Sequence, residues 1–198
     1  MLGGFEILSK SDCEHSLKVI EKHQKNEENS NPQIALDVGA GIGRITKNVL
    51  TKKYNRVDML EIDQKNLTEA VNYLGPEKHS RTTSFCVGMQ NFKFQKAYDC
   101  IWIQWCIGHL TDVDAVRFLS DCKKNLKIGG FVVVKGNVTS MYSYEETSVL
   151  DEEDSSVMRG KTDLIDLVGK AGLVVVEKSF QTEFQEAGIH PVICLVLK

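Results

Sequence analysis

The fold is decided by the stretch IALDVGAGIG at residues 34–43. A short apolar run ends there in a glycine-rich turn, and apolar residues then recur at helical spacing at Ile42, Ile45 and Val49. Glycine lets a backbone turn sharply and approach a ligand closely, because any Cβ would occupy that space. The stretch therefore predicts a strand, a tight turn and a helix.

Strand-like apolar runs and helical patterns alternate along the rest of the chain. The Gly129-Gly130 pair predicts a turn before one strand, and we expect the last two strands to pair antiparallel. Such alternation predicts an α/β fold with a mostly parallel, doubly wound seven-stranded sheet, a C-terminal antiparallel hairpin and helices on both faces. The predicted strands are 34–38, 56–62, 83–87, 98–104, 131–134, 173–180 and 192–197, and the predicted helices are 11–20, 42–50, 67–74, 112–126 and 162–171.

Polar stretches interrupt this pattern in two places. Residues 21–31 are rich in Asn and predict a surface loop that completes an N-terminal helix-and-loop region at 1–33. Residues 138–156 carry Ser, Thr, Tyr and a run of acids, which predicts an inserted loop. We see no internal repeat and no second domain, so we expect one domain over residues 1–198.

Composition limits the classes of partner. The 198 residues carry a formal net charge of -3, so the chain lacks the basic surface that a phosphate backbone requires, and nucleic acid is disfavoured. No apolar run approaches the roughly 18 residues that span a bilayer, and residues 1–10 lack a signal-peptide pattern. The six cysteines are scattered without metal-ligand spacing, which favours reduced core residues of an intracellular protein over disulfides or a metal site.

The glycine turn and an acidic residue after it predict an adenosine-type cofactor. Glu61 ends the second strand about twenty residues after the turn, where a carboxylate accepts the hydrogen bonds of a ribose diol. The alternative is a tight loop without a ligand, which a glycine turn alone often is. The third glycine comes one residue too early for G-x-G-x-x-G, and G-x-G-x-G after an acidic residue is similar to the first motif of class I methyltransferases. In that setting Asp37 would hold the loop or the amine of S-adenosylmethionine, and Arg44 would pair with its carboxylate.

The segment IWIQWCIGHLTD at residues 101–112 carries two tryptophans, a glutamine and a histidine out of the fourth strand. A structural interpretation is open for each, since Trp102 fits a core and a single histidine is more often structural than catalytic. The chain nevertheless resembles the α-N-terminal protein methyltransferases, which modify proteins that begin Xaa-Pro-Lys. The resemblance runs from residue 1 to about residue 173 and rests on MLGG at 1–4, LDVGAGIGRITK at 36–47, IWIQWCIGHLTD at 101–112 and LDEEDSSVMR at 150–159.

This resemblance implies a Rossmann-like class I fold, S-adenosylmethionine as cofactor and protein or peptide N-termini as substrate. The cofactor positions it implies are Gly39, Arg44, Glu61, Ile62, Asp63, Met89, Gln90 and Gln104, with Glu61 in place of the usual aspartate. The substrate-channel positions are Leu2, Gly3, Trp105, Asn137, Asp151 and Ser156, and the insertion at 138–157 becomes a substrate-channel loop.

The resemblance also makes His109 and Asp154 the catalytic pair that helps to deprotonate the amine. A free α-amino group has a pKa of about 7.7 to 8.0, so a weak base is sufficient, and a histidine near its ordinary pKa of about 6.5 can receive the proton. Asp154 would hold the ammonium group, and Asp151 with its acidic neighbours suits a lysine at the third substrate position. The alternative is a solvated acidic loop in which Asp154 or Ser155 caps a helix.

The chain departs from the family pattern at several points. Gly136 replaces an aspartate, the tyrosine expected near His190 is missing, and the loop between Asn137 and Asp151 is longer. The family pattern also includes an aromatic-containing helical segment before MLGG, and without it we expect weaker closure over the cofactor.

Three hypotheses follow for the activity: an N-terminal amine methyltransferase, a related methyltransferase with another amine as substrate, and a non-catalytic binding partner. Cytoplasm or nucleus is the expected location because the family's substrates lie there. Monomer and dimer both stay open.

Overall fold

The computed structural model describes residues 6–24, 32–140, 148–186 and 188–198. The strands are β1 Ile34–Val38, β2 Arg56–Glu61, β3 Thr82–Cys86, β4 Tyr98–Gln104, β5 Leu126–Asn137, β6 Val149–Asp151, β7 Ser156–Met158, β8 Val175–Gln181 and β9 Val192–Leu197. The α-helices are α1 Glu6–His23, α2 Thr51–Lys53, α3 Gln64–Leu74, α4 Pro76–His79, α5 Asp112–Lys124, α6 Lys161–Lys170 and α7 Glu183–Glu186. A π-helix at Thr46–Leu50 precedes α2, and two 3₁₀ helices lie at Met89–Asn91 and Ile107–His109.

Seven strands form one sheet in the order β3-β2-β1-β4-β5-β9-β8, and β6 and β7 form a separate hairpin. β2 is parallel to both β1 and β3, whereas β9 is antiparallel to both β5 and β8. The predicted α/β class, the mostly parallel seven-stranded sheet and the antiparallel C-terminal pair are therefore confirmed.

The chain packs as two compact units. The first comprises residues 1–102 and 126–131, and the second comprises 103–125 and 132–198. Whether the chain behaves as a single domain stays a prediction.

The core of the first unit includes a cluster beside the glycine turn. Ala40 of the turn lies in this cluster with buried residues of β2 and α3. Asp63 begins α3 by accepting a hydrogen bond from the backbone N–H of Lys65 at 2.8 Å, and Gly75 ends the helix at a φ of 76°. The helix predicted at 67–74 is confirmed, and it begins three residues earlier, at Gln64.

In the second unit, the core consists of β9, the buried half of β5 and the apolar faces of α5 and α6. Every residue of β9 is buried, as its uninterrupted apolar sequence requires. Thr111 caps α5 by accepting from the N–H of Asp114 at 3.2 Å. Phe118 of this helix is buried, whereas Val113 in its first turn is 76% exposed.

The turn predicted at Gly129-Gly130 is wrong, because β5 runs through both glycines without interruption. A Cβ on Gly130 would lie 2.9 Å from the carbonyl oxygen of Tyr98 and 3.1 Å from that of Asp99. Gly130 is thus required by the close approach of other backbone atoms, and Gly129 by its φ of 86°, which does not end the strand.

Two further boundaries differ from the sequence prediction. α1 starts before residue 11 and continues to His23, so residues 21–23 are helical where a loop was predicted, and residues 25–31 lie outside the described part of the chain. α7 lies in the stretch between the last two strands, which has no helical periodicity because a helix this short has too few residues to show any. Among the described residues, none of the helices is long and apolar enough to cross a membrane.

Candidate active site

The glycine turn after β1 is held against the end of β2. Gly39, Gly41 and Gly43 have φ values of 66°, 55° and 85°, a region that residues with a Cβ rarely adopt. The N–H groups of Gly39 and Ala40 donate to the carbonyl oxygen of Leu60 at 2.8 and 3.1 Å. No described atom lies within 4 Å of where a Cβ on Gly41 would sit. The turn is therefore held by its hydrogen bonds to β2, and the space beside Gly41 is open. A ligand that approaches the backbone closely needs such open space.

Asp37 ties the turn to the helix that follows it. Its Oδ2 atom accepts from the backbone N–H of Thr46 at 2.9 Å and from the Thr46 hydroxyl at 2.6 Å. Burial raises the pKa of Asp37 to about 6, an effect that the hydrogen bonds from Thr46 reduce. Of the two roles predicted for Asp37, holding the loop is the one that these contacts perform.

Glu61, at the end of β2, lies beside the glycine turn as predicted. Its Oε2 atom accepts from the N–H of Gly41 at 2.8 Å, and its Oε1 atom accepts from the N–H of Asp63 at 2.9 Å. Oε1 also accepts from Nδ2 of Asn66 at 3.5 Å. Each carboxylate oxygen has two acceptor positions, so the free capacity for a ribose hydroxyl lies at Oε2. Ile62 follows with 67% of its side chain exposed and offers an apolar contact. An adenosine cofactor fits these residues, although its contacts stay predictions.

Arg44 forms an ion pair that the sequence did not suggest. Its Nη1 atom lies 2.8 Å from Oδ2 of Asp12, a residue of α1 with no exposed surface. The same nitrogen lies 3.4 Å from the Ser9 hydroxyl and 3.7 Å from Sγ of Cys13. α1 thereby fixes the guanidinium that we expect to face the cofactor carboxylate. An aspartate amid the apolar positions of α1 was the signal, because a buried carboxylate requires a cation.

Met89 and Gln90 lie in the 3₁₀ helix that follows β3. A Cβ on the preceding Gly88 would lie 2.7 Å from Oε1 of Gln90, so the glutamine side chain folds over that glycine.

Cys86 ends β3, and its Sγ atom lies 3.5 Å from the carbonyl oxygen of Ile62. The other five cysteines are buried and none of the six forms a disulfide, so the prediction of core cysteines holds for all but exposed Cys86.

The second unit contains the residues predicted to face the substrate. Gln104, predicted as a cofactor ligand, ends β4 and is only 6% exposed. Trp105 follows with a φ of 53°, which is unusual for a large side chain and occurs most often at functional sites. Its N–H donates to the carbonyl oxygen of Lys135 at 2.9 Å, and its ring packs edge-on against Phe184 at 6.0 Å. The backbone of Trp105 is thus fixed in a strained conformation. Trp102, in contrast, is fully buried, as its structural interpretation predicted.

His109 and Asp154 are close enough to interact electrostatically. His109 is exposed at the end of a 3₁₀ helix, and Asp154 lies in the turn of the β6–β7 hairpin. Hydrogen bonds from Ser156 lower the pKa of Asp154, and the charge of His109 lowers it further. The hydrogen bond from the Ser156 N–H to Oδ1 of Asp154 is 2.9 Å long. The structure therefore brings together the histidine, the carboxylate and the serine that the sequence placed in one site. The alternative in which Asp154 or Ser155 caps a helix is wrong, because a hairpin turn occupies that position.

The remaining predicted channel residues are found in different settings. Asp151 pairs with Ser156 across the hairpin, and its Oδ1 atom accepts from the N–H of Glu153 at 3.0 Å. Asn137 donates through Nδ2 to the carbonyl oxygen of His190 at 2.8 Å, so its amide binds a loop of the protein. Leu2 and Gly3 lie outside the described residues. The substrate contacts of this group stay predictions.

Arg159 is the residue of this region that the sequence analysis did not assign. It is 5% exposed, and its guanidinium donates to Asp112 and to the carbonyl oxygens of Ile107 and Leu110. It ends the motif LDEEDSSVMR at residues 150–159, but the motif alone does not show that its arginine is buried. In the described parts of the chain, no group of three or more His, Cys, Asp or Glu side chains is placed to hold a metal ion.

Comparison with known proteins places the chain in a family. Residues 1–198 match the family model described as AdoMet dependent proline di-methyltransferase. The chain is 41% identical to N-terminal Xaa-Pro-Lys N-methyltransferase 1 of Danio rerio, with 100% of this chain and 87% of the relative covered. It is 40% identical to Alpha N-terminal protein methyltransferase 1 of Caenorhabditis elegans, with 100% and 82% covered. A solved SAM-dependent methyltransferase from Leishmania major matches with a TM-score of 0.83 at 32% identity, over 100% of this chain and 75% of that one. The chain therefore belongs to the family of AdoMet-dependent proline di-methyltransferases.

Proposed function

We propose that this protein transfers methyl groups from S-adenosylmethionine to the free α-amino group of proteins with an N-terminal Xaa-Pro-Lys sequence. The observation that carries the proposal is the arrangement of His109 and Asp154, which lie together in a chain whose full-length relatives are named for this reaction. A cytoplasmic or nuclear location is part of the same proposal and is supported by the substrates of that family.

The first unit supplies the cofactor site. When bound, S-adenosylmethionine supplies a methyl group that its sulfonium already activates. The glycine turn admits the cofactor closely at Gly41, Glu61 accepts hydrogen bonds from the ribose, and Arg44 pairs with the carboxylate of the methionine part. The ion pair with Asp12 keeps that guanidinium in place.

The second unit supplies the proton acceptor for the substrate. Because the methyl group is already activated, the enzyme must mainly deliver a neutral amine in the correct orientation. Asp154 stays ionised at neutral pH, since its pKa lies below the usual aspartate value, and it holds the ammonium form of the substrate. His109 is exposed beside it and receives the proton. An α-amino group with a pKa of about 7.7 to 8.0 needs only this modest assistance.

The hairpin also suits the third residue of the substrate. Asp151, Glu152 and Glu153 are all exposed next to Asp154, so they offer negative charge to a lysine side chain near the reacting amine. Exposed carboxylates attract a cation only weakly one by one, so we expect the group to act together and its effect to fall with salt.

A peptide pair tests the proposal. The purified protein is incubated with S-adenosylmethionine and either a peptide that begins Ser-Pro-Lys or the same peptide with an acetylated N-terminus, and both are weighed by mass spectrometry. We expect methyl groups on the free peptide alone. Methylation of both peptides would indicate a side-chain amine as target, and methylation of neither would contradict the proposal.

Single-residue variants test the roles of the pair. His109→Asn should lower the methylation rate about 10-fold at pH 7, where most of the substrate amine is protonated and needs a proton acceptor. His79→Asn, which changes a histidine of α4 in the first unit, is the matched control and should leave the rate unchanged. A rate for His109→Asn within about 3-fold of the control would contradict the base role.

A further inference from the structure

The buried side chain of Arg159 lies directly behind the turn that presents His109. It follows β7 in the chain and is 5% exposed. Its Nε and Nη2 atoms donate to Oδ1 of Asp112 at 3.1 and 2.8 Å. Nη1 donates to the carbonyl oxygen of Ile107 at 3.2 Å, and Nη2 donates to that of Leu110 at 2.7 Å. All four hydrogen bonds thus end on residues 107–112, the short segment that includes His109.

The two carbonyl contacts are placed on either side of the histidine. Ile107 begins the 3₁₀ helix, and Leu110 is the residue immediately after His109. A planar guanidinium has five N–H donors in a fixed geometry, so it can hold both carbonyls and a carboxylate at once. A lysine ammonium is a point charge that cannot reproduce this arrangement. The conformation of the turn therefore depends on an arginine in particular.

Strand β7 contacts the same turn through its backbone. A Cβ on Gly108 would lie 2.9 Å from the carbonyl oxygen of Val157, which leaves space only for glycine. Val157 and Arg159 belong to the arm of the hairpin that directly follows Asp154 and Ser156. Residues 154–159 thus carry the carboxylate of Asp154 at one end, and at the other end Arg159 contacts the turn that includes His109.

On the basis of the function proposed above, we infer that Arg159 is a positioning residue for amine deprotonation, which fixes His109 relative to Asp154. It does not act on the substrate itself, because its four hydrogen bonds are made to the protein and it is almost fully buried. Among the described residues, Asp112 and Arg159 form an ion pair beside this turn, and Asp154 is the carboxylate whose pKa the charge of His109 lowers. A misplacement of about 1 Å at such a site costs up to about 100-fold in rate.

The test compares Arg159→Lys with His109→Asn across pH. If Arg159 acts through the histidine, both variants lack an effective proton acceptor. Each should lower kcat/KM for the free Ser-Pro-Lys peptide about 10-fold at pH 7, where only roughly a tenth to a sixth of such an amine is neutral. The loss should shrink to less than about 3-fold at pH 9, where a substrate amine with a pKa of about 7.7 to 8.0 is already neutral. The affinity for S-adenosylmethionine, measured by calorimetry, should not change.

Combination of the two changes separates positioning from general structural damage. In the double variant, the losses should not multiply, because the second change removes a function that is already lost. Arg117→Lys is the matched control, since Arg117 on α5 pairs with Asp114 at 2.6 Å on the surface, and it should behave as the unchanged protein. Asp112→Asn, which leaves both carbonyl contacts of Arg159 intact, should give the same pH pattern with a smaller loss. If Arg159→Lys does not fold, the pH dependence of Asp112→Asn and of its combination with His109→Asn tests the positioning role instead.

The outcomes distinguish this inference from the function on which it rests. A protein that methylates neither peptide would overturn the proposed function and the inference with it. An active protein in which His109→Asn loses activity equally at pH 7 and pH 9 would overturn the base role. An active protein in which His109→Asn shows the expected pH pattern, but the Arg159 variant loses activity equally at both pH values or multiplies the loss, would overturn the inference alone.

Discussion

Replacement of Asp37 by Asn is expected to stabilise the cofactor-free protein while it weakens cofactor binding. Asp37 is only 2% exposed, and its Oδ2 atom accepts two hydrogen bonds from Thr46. An amide oxygen can accept the same two bonds without placing a charge in the interior. The charge of Asp37 therefore lowers the stability of the fold, although we expect the cofactor site to need it.

The magnitude follows from the pKa of the carboxyl group. A pKa raised from 3.8 to about 6 by burial makes ionisation about 3 kcal/mol less favourable in the folded protein than in the unfolded chain. Because the folded pKa is the higher one, the contribution of this group to stability is present below pH 3.8 and lost as the pH rises through about 6. The amide must also be desolvated, so we expect a gain of about 1–3 kcal/mol at pH 8 and almost none at pH 4. For a chain of this length, that gain raises Tm by roughly 3–10 °C.

Urea unfolding at pH 4, 6 and 8 measures the stability, and calorimetry measures the affinity for S-adenosylmethionine. We expect the affinity to fall about 10-fold, since the second role predicted for Asp37, a charge-assisted bond to the amine of the cofactor, would be lost and is worth about 1.5 kcal/mol. Asp58→Asn is the control, because Asp58 is equally buried but accepts from Lys96 at 2.9 Å and from Tyr98 at 2.8 Å. That variant should be less stable at pH 8. A lower stability of Asp37→Asn at pH 8, or an equal gain at pH 4 and pH 8, would refute the reasoning.

Three further predictions concern the first unit. Asp12→Asn removes the carboxylate that pairs with the guanidinium of Arg44, so the free energy of unfolding should fall by about 2–4 kcal/mol. The affinity for the cofactor, measured by calorimetry, should fall several-fold. If neither quantity changed, the ion pair would be contradicted. Gly41→Ala and Gly43→Ala should both lower Tm, because both glycines have a positive φ, and Gly43→Ala should lower it more because its Cβ meets side chains at 3.1 and 3.2 Å. Gly41→Ala should also reduce cofactor affinity. An equal fall in Tm for the two variants would contradict this difference. Gly130→Ala should lower the unfolding free energy by at least about 2 kcal/mol, since three carbonyl oxygens lie within 3.1 Å of the new Cβ; a Tm within about 1 °C of the unchanged protein would contradict the close approach.

The order of the elements could be predicted because apolar periodicity survives without knowledge of contacts. The runs at β1, β4 and β9 are almost entirely buried, and each was found at the predicted residues. The errors arose where one signal has two physical causes. Gly129-Gly130 was taken as a turn, but glycine also occurs where two backbones approach closely, and only a structure distinguishes these cases. α1 was underestimated because its polar C-terminal turn resembles a loop in composition.

The candidate site was predictable to the extent that its residues belong to short contiguous motifs. Glu61 beside Gly41, and Asp154 beside Ser156, followed from motif positions and are in contact. The supporting residues were not predictable in this way, because their partners are distant in sequence. Arg159 and Asp112 each end one of the quoted motifs, but they are 47 residues apart, and neither motif shows that the two are paired with each other.

The buried charges of this chain are better explained by geometry than by stability. A buried ion pair often contributes little to stability, because the loss of hydration offsets the attraction between the charges. Arg44 with Asp12, and Arg159 with the 107–112 turn, each fix a guanidinium in one position inside their own unit. Asp37 retains a carboxyl group whose pKa burial raises to about 6, so its charge at neutral pH works against folding. Replacement of both members of such an ion pair by apolar residues of similar volume would be expected to give a fold at least as stable, unlike the removal of one member. We therefore expect stabilising substitutions there to be easy to find and to reduce cofactor binding or methyl transfer.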